Sequence, residues 1–247
     1  MYKLLITLLA ISFIIGCSTQ NPNPINNGRY SYTIGPNVTD VDGNVYTSIV
    51  TNCGQTWTKE NLNVSRYRNG DVIPQVTNVS QWYILTNGAW CWYNGDSGTH
   101  IGKLYNWYAV NDPRGLAPQG WHVPTNVEWN KLVKCIDQYA DTVCLGCSQS
   151  ATAGGAMKTA GIGLWLNPTA GATDISGFKG LPAGARNTNM ESRDFGRSGY
   201  WWSSTGYDNL GLNQGLAWFR TLNYSSADVN KSADMKTSGL SVRLVKD

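Results

Sequence analysis

Thr125-Asn126-Val127-Glu128-Trp129-Asn130-Lys131-Leu132-Val133-Lys134-Cys135-Ile136-Asp137-Gln138-Tyr139 is the stretch that decides the fold class. It follows Pro124, and Thr125 with Glu128 three residues on has the spacing of a capping box. In that arrangement each side chain satisfies a backbone N–H that the first turn of a helix leaves unpaired. Trp129, Leu132, Val133, Ile136 and Tyr139 then recur at helical intervals, which predicts one amphipathic helix running to about Tyr139. A weaker helix is expected over Gly155 to Thr159.

Outward from this helix the chain reads as short strands and loops. Thr39 to Asn44 is a turn, and Val45 to Val50 is β-branched and aromatic enough for a strand. Asp40, Asp42 and Asn44 place oxygens at alternate positions, but an EF-hand loop needs Glu at its twelfth position and Thr51 stands there. A hairpin turn is the better account. Gln55 to Leu62 reads as a strand running into a turn, Tyr200 to Ser204 as another, and Leu240 to Lys246 as the last. Leu216 to Leu222 alternates, with Leu216, Trp218, Arg220 and Leu222 on one side. The fold class is therefore α+β: an irregular domain with short antiparallel strands, one clear amphipathic helix and long loops.

The N-terminus carries a different signal. Lys3 precedes an apolar run from Leu4 to Ile15 that ends in Ile14-Ile15-Gly16-Cys17. The run is shorter than the about 20 residues a membrane span needs, and suits the core of a signal peptide. Small or aliphatic residues before a cysteine match a lipobox, so Cys17 is the expected site of lipid attachment and residues 1–17 the expected signal peptide. Acyl chains at Cys17 would hold the protein to a lipid bilayer. Ser18 after the cysteine, in place of Asp, points to the outer membrane. Residues 18–37, rich in Asn and Pro, cannot bury enough apolar surface to fold and read as a tether. Residues 38–247 suffice for one well-cored domain.

Charged residues make up 14% of the chain, against about 25% in ordinary globular proteins. No Lys/Arg cluster could follow a phosphate backbone, so nucleic acid is excluded as a partner. Eleven Trp and 13 Tyr make aromatic burial the main expected source of core stability. With Cys17 lipidated, five cysteines remain. Cys53 and Cys91 are the expected disulfide, since each falls in a strand region away from the others. Cys135, Cys144 and Cys147 leave a pair and a spare thiol, a zinc set lacking a nearby histidine, or a Cys-x2-Cys redox pair.

Three further runs resemble a known family. They are Asp42-Gly43-Asn44-Val45-Tyr46 with Gln55-Thr56-Trp57, Leu104-Tyr105-Asn106-Trp107-Tyr108-Ala109, and Gly120-Trp121-His122-Val123-Pro124-Thr125 with Glu128-Trp129. Ser176-Gly177-Phe178, Leu181-Pro182-Ala183-Gly184, Gly199-Tyr200-Trp201-Trp202-Ser203-Ser204 and Ser238-Gly239-Leu240-Ser241-Val242-Arg243 follow in order. Together they resemble the Fibrobacter succinogenes major paralogous domain over residues 38–247. The resemblance implies a C-type-lectin-like fold near the formylglycine-generating enzymes, in which Val45 to Val50 would lie beside Leu240 to Val245. It does not imply an activity.

Catalytic constellations are not legible. His122 precedes the helix without a sequence signal for a nucleophile, and His100 sits in a Gly-rich loop. The cysteines of formylglycine-generating enzymes lie in their C-terminal half, and no cysteine follows Cys147. No Glu-Pro-Asn or Gln-Pro-Asp run suggests a lectin-type calcium site. The sequence thus predicts no catalytic residue, no cofactor and no metal. The aromatic-rich segment supplies the candidate ligand-binding residues Trp82, Tyr83, Trp90 and Trp92, whose flat apolar faces suit a glycan or a protein ligand. Trp107, Trp121, Trp129, Trp201 and Trp202 are assigned to the core. A non-catalytic binding or display module of the cell envelope is the expected function. The alternatives are a structural envelope protein and an envelope enzyme.

Overall fold

A computed structural model describes residues 30–93, 101–161, 163–186, 192–208 and 215–247. The expected signal peptide, Cys17 and His100 lie outside these residues. Among the described residues, four helices and fifteen strands make a mixed α+β domain. Five strands form one sheet in the order β1 (Tyr32–Ile34), β4 (Ser48–Thr51), β5 (Thr56–Thr58), β15 (Val245–Lys246) and β8 (Trp121–His122), every pair antiparallel. Six form a second, in the order β11 (Ser192–Phe195), β10 (Ala183–Arg186), β12 (Ser198–Tyr207), β13 (Leu216–Asn223), β14 (Val229–Met235) and β9 (Cys147–Ser150). Among the strand pairs of this sheet, β10 and β12, which meet at Gly184 and Gly199, are parallel and the others antiparallel. Two small ribbons complete the fold, β2 (Val38–Thr39) with β3 (Val45–Tyr46) and β6 (Trp90–Cys91) with β7 (Leu104–Tyr105).

The predicted helix is α3 (Asn126–Ile136), and both halves of the Thr125–Glu128 capping box form. Trp129, Leu132, Val133 and Ile136 are buried as expected, whereas Tyr139 lies past the helix end and is 86% exposed. The weaker helix is α4 (Ala153–Met157). It packs so closely that a Cβ on Gly154 would collide with the Asp228 carbonyl. Two shorter helices, α1 (Val79–Tyr83) and α2 (Trp107–Val110), start at Asn78 and Asn106, each of whose side chains accepts a backbone N–H of the first turn.

The core between the two sheets is aromatic. Trp57 of β5 lies 4.8 Å from Trp129 of α3, and Phe178 lies 5.7 Å from Trp129 and 5.4 Å from Trp201 of β12. The five tryptophans assigned to the core are all buried. Arg243 joins the layers from within, fully buried. It donates to Asn61 Oδ1 and to the carbonyls of Thr58, Phe178 and Lys179, with its guanidinium 4.5 Å from the Phe178 centroid. A buried cation of this kind is tolerated because its donors are engaged.

Three expectations are corrected. Residues 45–50 do not form one strand: the Glu60 carboxylate takes the Thr47 N–H and hydroxyl, dividing β3 from β4. The last strand does not lie beside that segment either, because β5 intervenes and Val245 pairs with Trp57 and His122. The tether ends earlier than residue 37: the Tyr30 hydroxyl donates to the Ser176 carbonyl at 2.8 Å, and β1 pairs with β4. Elsewhere the turn at residues 40–44 is a hairpin turn, with the Asp40 carboxylate accepting from the Asp42 and Asn44 backbone, the Asn44 amide and the Tyr46 hydroxyl. Among the described residues no helix is long and apolar enough to cross a membrane.

Candidate functional site

The four aromatics expected to bind ligand do not share a surface. Trp82 of α1 is 1% exposed, its indole donating to the Thr237 carbonyl and stacking under Arg186 at 4.6 Å. Trp90 is also buried and donates to the Ile73 carbonyl at 2.9 Å. Trp92, half-buried, meets Trp90 edge-on at 5.5 Å, and the Lys103 ammonium lies over both rings at 4.4 and 5.1 Å. Tyr83 alone points outward. Trp82 and Trp90 are thus corrected to core residues, because each indole finds a buried carbonyl and an apolar or cationic neighbour. Local aromatic density in a sequence does not reveal which face a side chain takes.

The cysteines are also corrected. Cys53 pairs with Cys135, not with Cys91, and Cys144 pairs with Cys147. Cys53 sits in the turn between β4 and β5, where Gly54 adopts φ +77° and donates to the Thr51 carbonyl. That turn sets its Cα 6.1 Å from the Cα of Cys135 on α3, within bridging range. Cys91 is free and buried beside Arg186, and burial raises its thiol pKa to about 11.

His122 lies on β8 between two carboxylates. Its Nε2 is 2.8 Å from Glu128 Oε1, and its Nδ1 is 2.6 Å from Asp247 Oδ1. The Glu128 hydrogen bond raises its pKa most, burial opposes this and Asp247 adds to the rise, which brings it to about 9. For Glu128, burial works upward, but His122 and Thr125 outweigh it and hold the carboxyl below its ordinary value. At neutral pH the ring is therefore protonated, with both nitrogens donating. Neither nitrogen is left to take a proton from a substrate, and the unit is a clamp joining the start of α3 to β8 and Asp247.

A groove of about 510 Å³ crosses the outward side of α3. Val127, Asn130, Lys131 and Lys134 line it from the helix, with the Cys53–Cys135 disulfide and Thr142 completing the wall. Val127 is 73% exposed, and Val143 and Leu145 in the following loop are exposed as well. The walls are mostly apolar and the two lysine ammoniums are its charged groups. Asn130 is fixed in place: its carbonyl accepts from Arg220 at 2.7 Å and from Gln149 at 2.8 Å, and its amide donates to the Thr142 carbonyl. The polar face of the helix carried a readable signal, since Val127 interrupts it at the position where Lys131 and Lys134 follow one and two turns later. A second depression of about 260 Å³ lies beside Asp40, Arg66 and Arg68. Of its polar groups, Arg68 is committed to the Ala117 and Trp121 carbonyls and Asp40 to the hairpin turn, while Arg66 is exposed and lies 4.0 Å from Asp42.

The model of the family described as the Fibrobacter succinogenes major domain matches residues 50–246. The chain belongs to this family. Every element that forms the α3 groove lies within the matched residues, so in this member of the major domain family the groove is part of the domain itself. No curated protein and no solved structure matches the chain.

Proposed function

We propose that this major domain protein is a lipid-anchored outer-membrane lipoprotein whose domain is a binding module, with the α3 groove as its non-catalytic ligand seat. The observation that carries this reading is the groove: a shallow, open, mostly apolar surface with two lysines on one rigid, capped helix. Groups that would do chemistry are not aimed into it. Its Asn130 side chain is engaged with protein partners, and His122, hydrogen-bonded between Glu128 and Asp247, is not one of its lining residues. The ligand this lining suits is a polypeptide or glycan that sets an apolar surface against Val127 and a negative charge against Lys131 and Lys134. Anchoring rests on the Gly16-Cys17 lipobox and the apolar run before it. A C-type-lectin-like arrangement is part of the same proposal, supported by the N- and C-terminal strands sharing one sheet and by loops that dominate the rest.

The chain from Ser18 onward, immobilised and exposed to solubilised envelope polysaccharides and proteins, tests the binding reading. Retention lost in Val127→Asp/Lys134→Glu and kept in Tyr83→Ala/Trp92→Ala supports it. Retention unaffected by the groove variant rejects the seat. Metabolic labelling with a fatty-acid probe, abolished by Cys17→Ser, tests the anchor.

A further inference from the structure

Cys144-Leu145-Gly146-Cys147 closes a small ring where the loop after α3 enters β9. Leu145 and Gly146 form its exposed tip. Cys147 stands directly opposite Lys231 of β14. Opposed residues of an antiparallel ladder carry their side chains on the same face, with Cβ atoms about 5 Å apart. The Lys231 side chain reaches along that face to the loop. Its Nζ donates to the Thr142 carbonyl at 3.3 Å and lies 4.5 Å from the Trp218 centroid. Lys231 is buried, and its charged neighbours are Arg220, a second cation, and Asp141. Asp141 spends one carboxylate oxygen on the Val143 and Cys144 N–H groups. Lys231, paired through its backbone with Cys147 and with its ammonium held at the Thr142 carbonyl two residues before Cys144, therefore brings a cation to the loop that carries a reachable Cys-x2-Cys disulfide, and a nearby cation favours a thiolate.

We propose that Cys144–Cys147 is a thiol–disulfide exchange site for polypeptide thiols, with Lys231 as its positioning charge. A partner thiolate attacks the Cys144 sulfur, the Cys144–Cys147 bond breaks, and its electron pair leaves on Cys147, which faces Lys231 across the ladder. The second partner thiol, losing its proton, then attacks the partner sulfur of the mixed disulfide and releases Cys144. The partner dithiol is oxidised by two electrons to a disulfide, and two protons pass to the reduced pair or to solvent. A low-molecular-mass disulfide such as oxidised glutathione restores the ring and is itself reduced to two thiols. Opening the ring leaves the fold standing. In the chain-entropy model a four-residue closure constrains the unfolded chain on the order of 100-fold less than the closure across the 82-residue separation of Cys53–Cys135. The inference is independent of the groove holding a ligand.

The test equilibrates the full chain in glutathione buffers of graded ratio, maps thiols by mass-tagged alkylation, and follows oxidation of a synthetic two-cysteine peptide by the protein. Cys144 and Cys147 should open and close reversibly while Cys53–Cys135 stays closed and tryptophan fluorescence is unchanged. The peptide should be oxidised about 10-fold faster than by an oxidised Cys-Leu-Gly-Cys peptide. Lys231→Met should remove that advantage and Lys231→Arg retain it. Opening only with loss of the fold, or a rate no higher than that of the short peptide, overturns the proposal. The comparison with the short peptide decides even if Lys231→Met does not fold.

Discussion

Replacing His122 by Gln should lower stability in a way that depends on pH. The imidazolium bridges Glu128 and Asp247, and its pKa is raised from 6.5 to about 9. For a fully buried ring such a rise corresponds to roughly 3 kcal/mol. The His122 side chain is 35% exposed and that of Asp247 59%, so solvent screening reduces the contribution to about 1–2 kcal/mol. Because the folded value lies above the unfolded one, the stabilisation is complete below pH 6.5 and is lost as pH rises through 9. The Glu128 share, from a lowered carboxyl, is lost only as pH falls below its ordinary 4.5. Urea unfolding followed by tryptophan fluorescence should thus give a difference between wild type and variant that is largest at pH 5–6.5 and vanishes above about pH 9. The difference between the two proteins is the informative quantity. Burial pulls Lys158 down to about 8, which makes its own contribution grow between about pH 8 and 10.5 in both. A constant difference across the range, or an NMR titration placing His122 near 6.5, would refute the reasoning.

Three further outcomes follow from the interior. Cys53→Ser/Cys135→Ser should cost up to about 4.5 kcal/mol and Cys144→Ser/Cys147→Ser no more than about 2, by urea unfolding, since the closures differ so much in length; equal losses would contradict this. Arg243→Met leaves the carbonyls of Thr58, Phe178 and Lys179 without their donor and should cost about 3 kcal/mol or more. Calorimetry should then show Tm lower by about 6–12 °C, and a change within 2 °C would show those carbonyls to be re-satisfied. Cys91, buried and with its thiol raised to about 11, should resist an aromatic disulfide reagent at pH 8 until urea unfolds the chain; labelling of the native protein would place it at the surface.

What could be read from the sequence was what is local. The capping box and the spacing of Trp129, Leu132, Val133 and Ile136 define α3 without reference to anything outside it. Tyr139 kept the period but not the helix, which ends at Ile136. The alternation from Leu216 to Leu222 located β13 but not its burial: Ala217 and Phe219 on one side, and Trp218 and Arg220 on the other, are all buried, because both faces of the sheet are covered there. Strand β14, Val-Asn-Lys-Ser-Ala-Asp-Met, alternates only with Lys231 standing among its apolar positions, and is held by its neighbours. The disulfides depended on which loop meets α3, a tertiary fact that strand propensity around Cys53 and Cys91 does not contain. The candidate site is hard to read from sequence for a related reason: aromatics crowd between Trp82 and Tyr93, whereas the groove is marked by one apolar residue, Val127, on the polar side of a helix.

The central claim is that ligand meets the protein on α3. A photo-cross-linking residue placed at 127, and in a second chain at 83, tests it in intact cell envelopes. Capture of a discrete partner from position 127, absent from position 83 and lost when Lys131 and Lys134 are changed to Glu, is the predicted result. Capture from position 83 with none from position 127 would contradict the account.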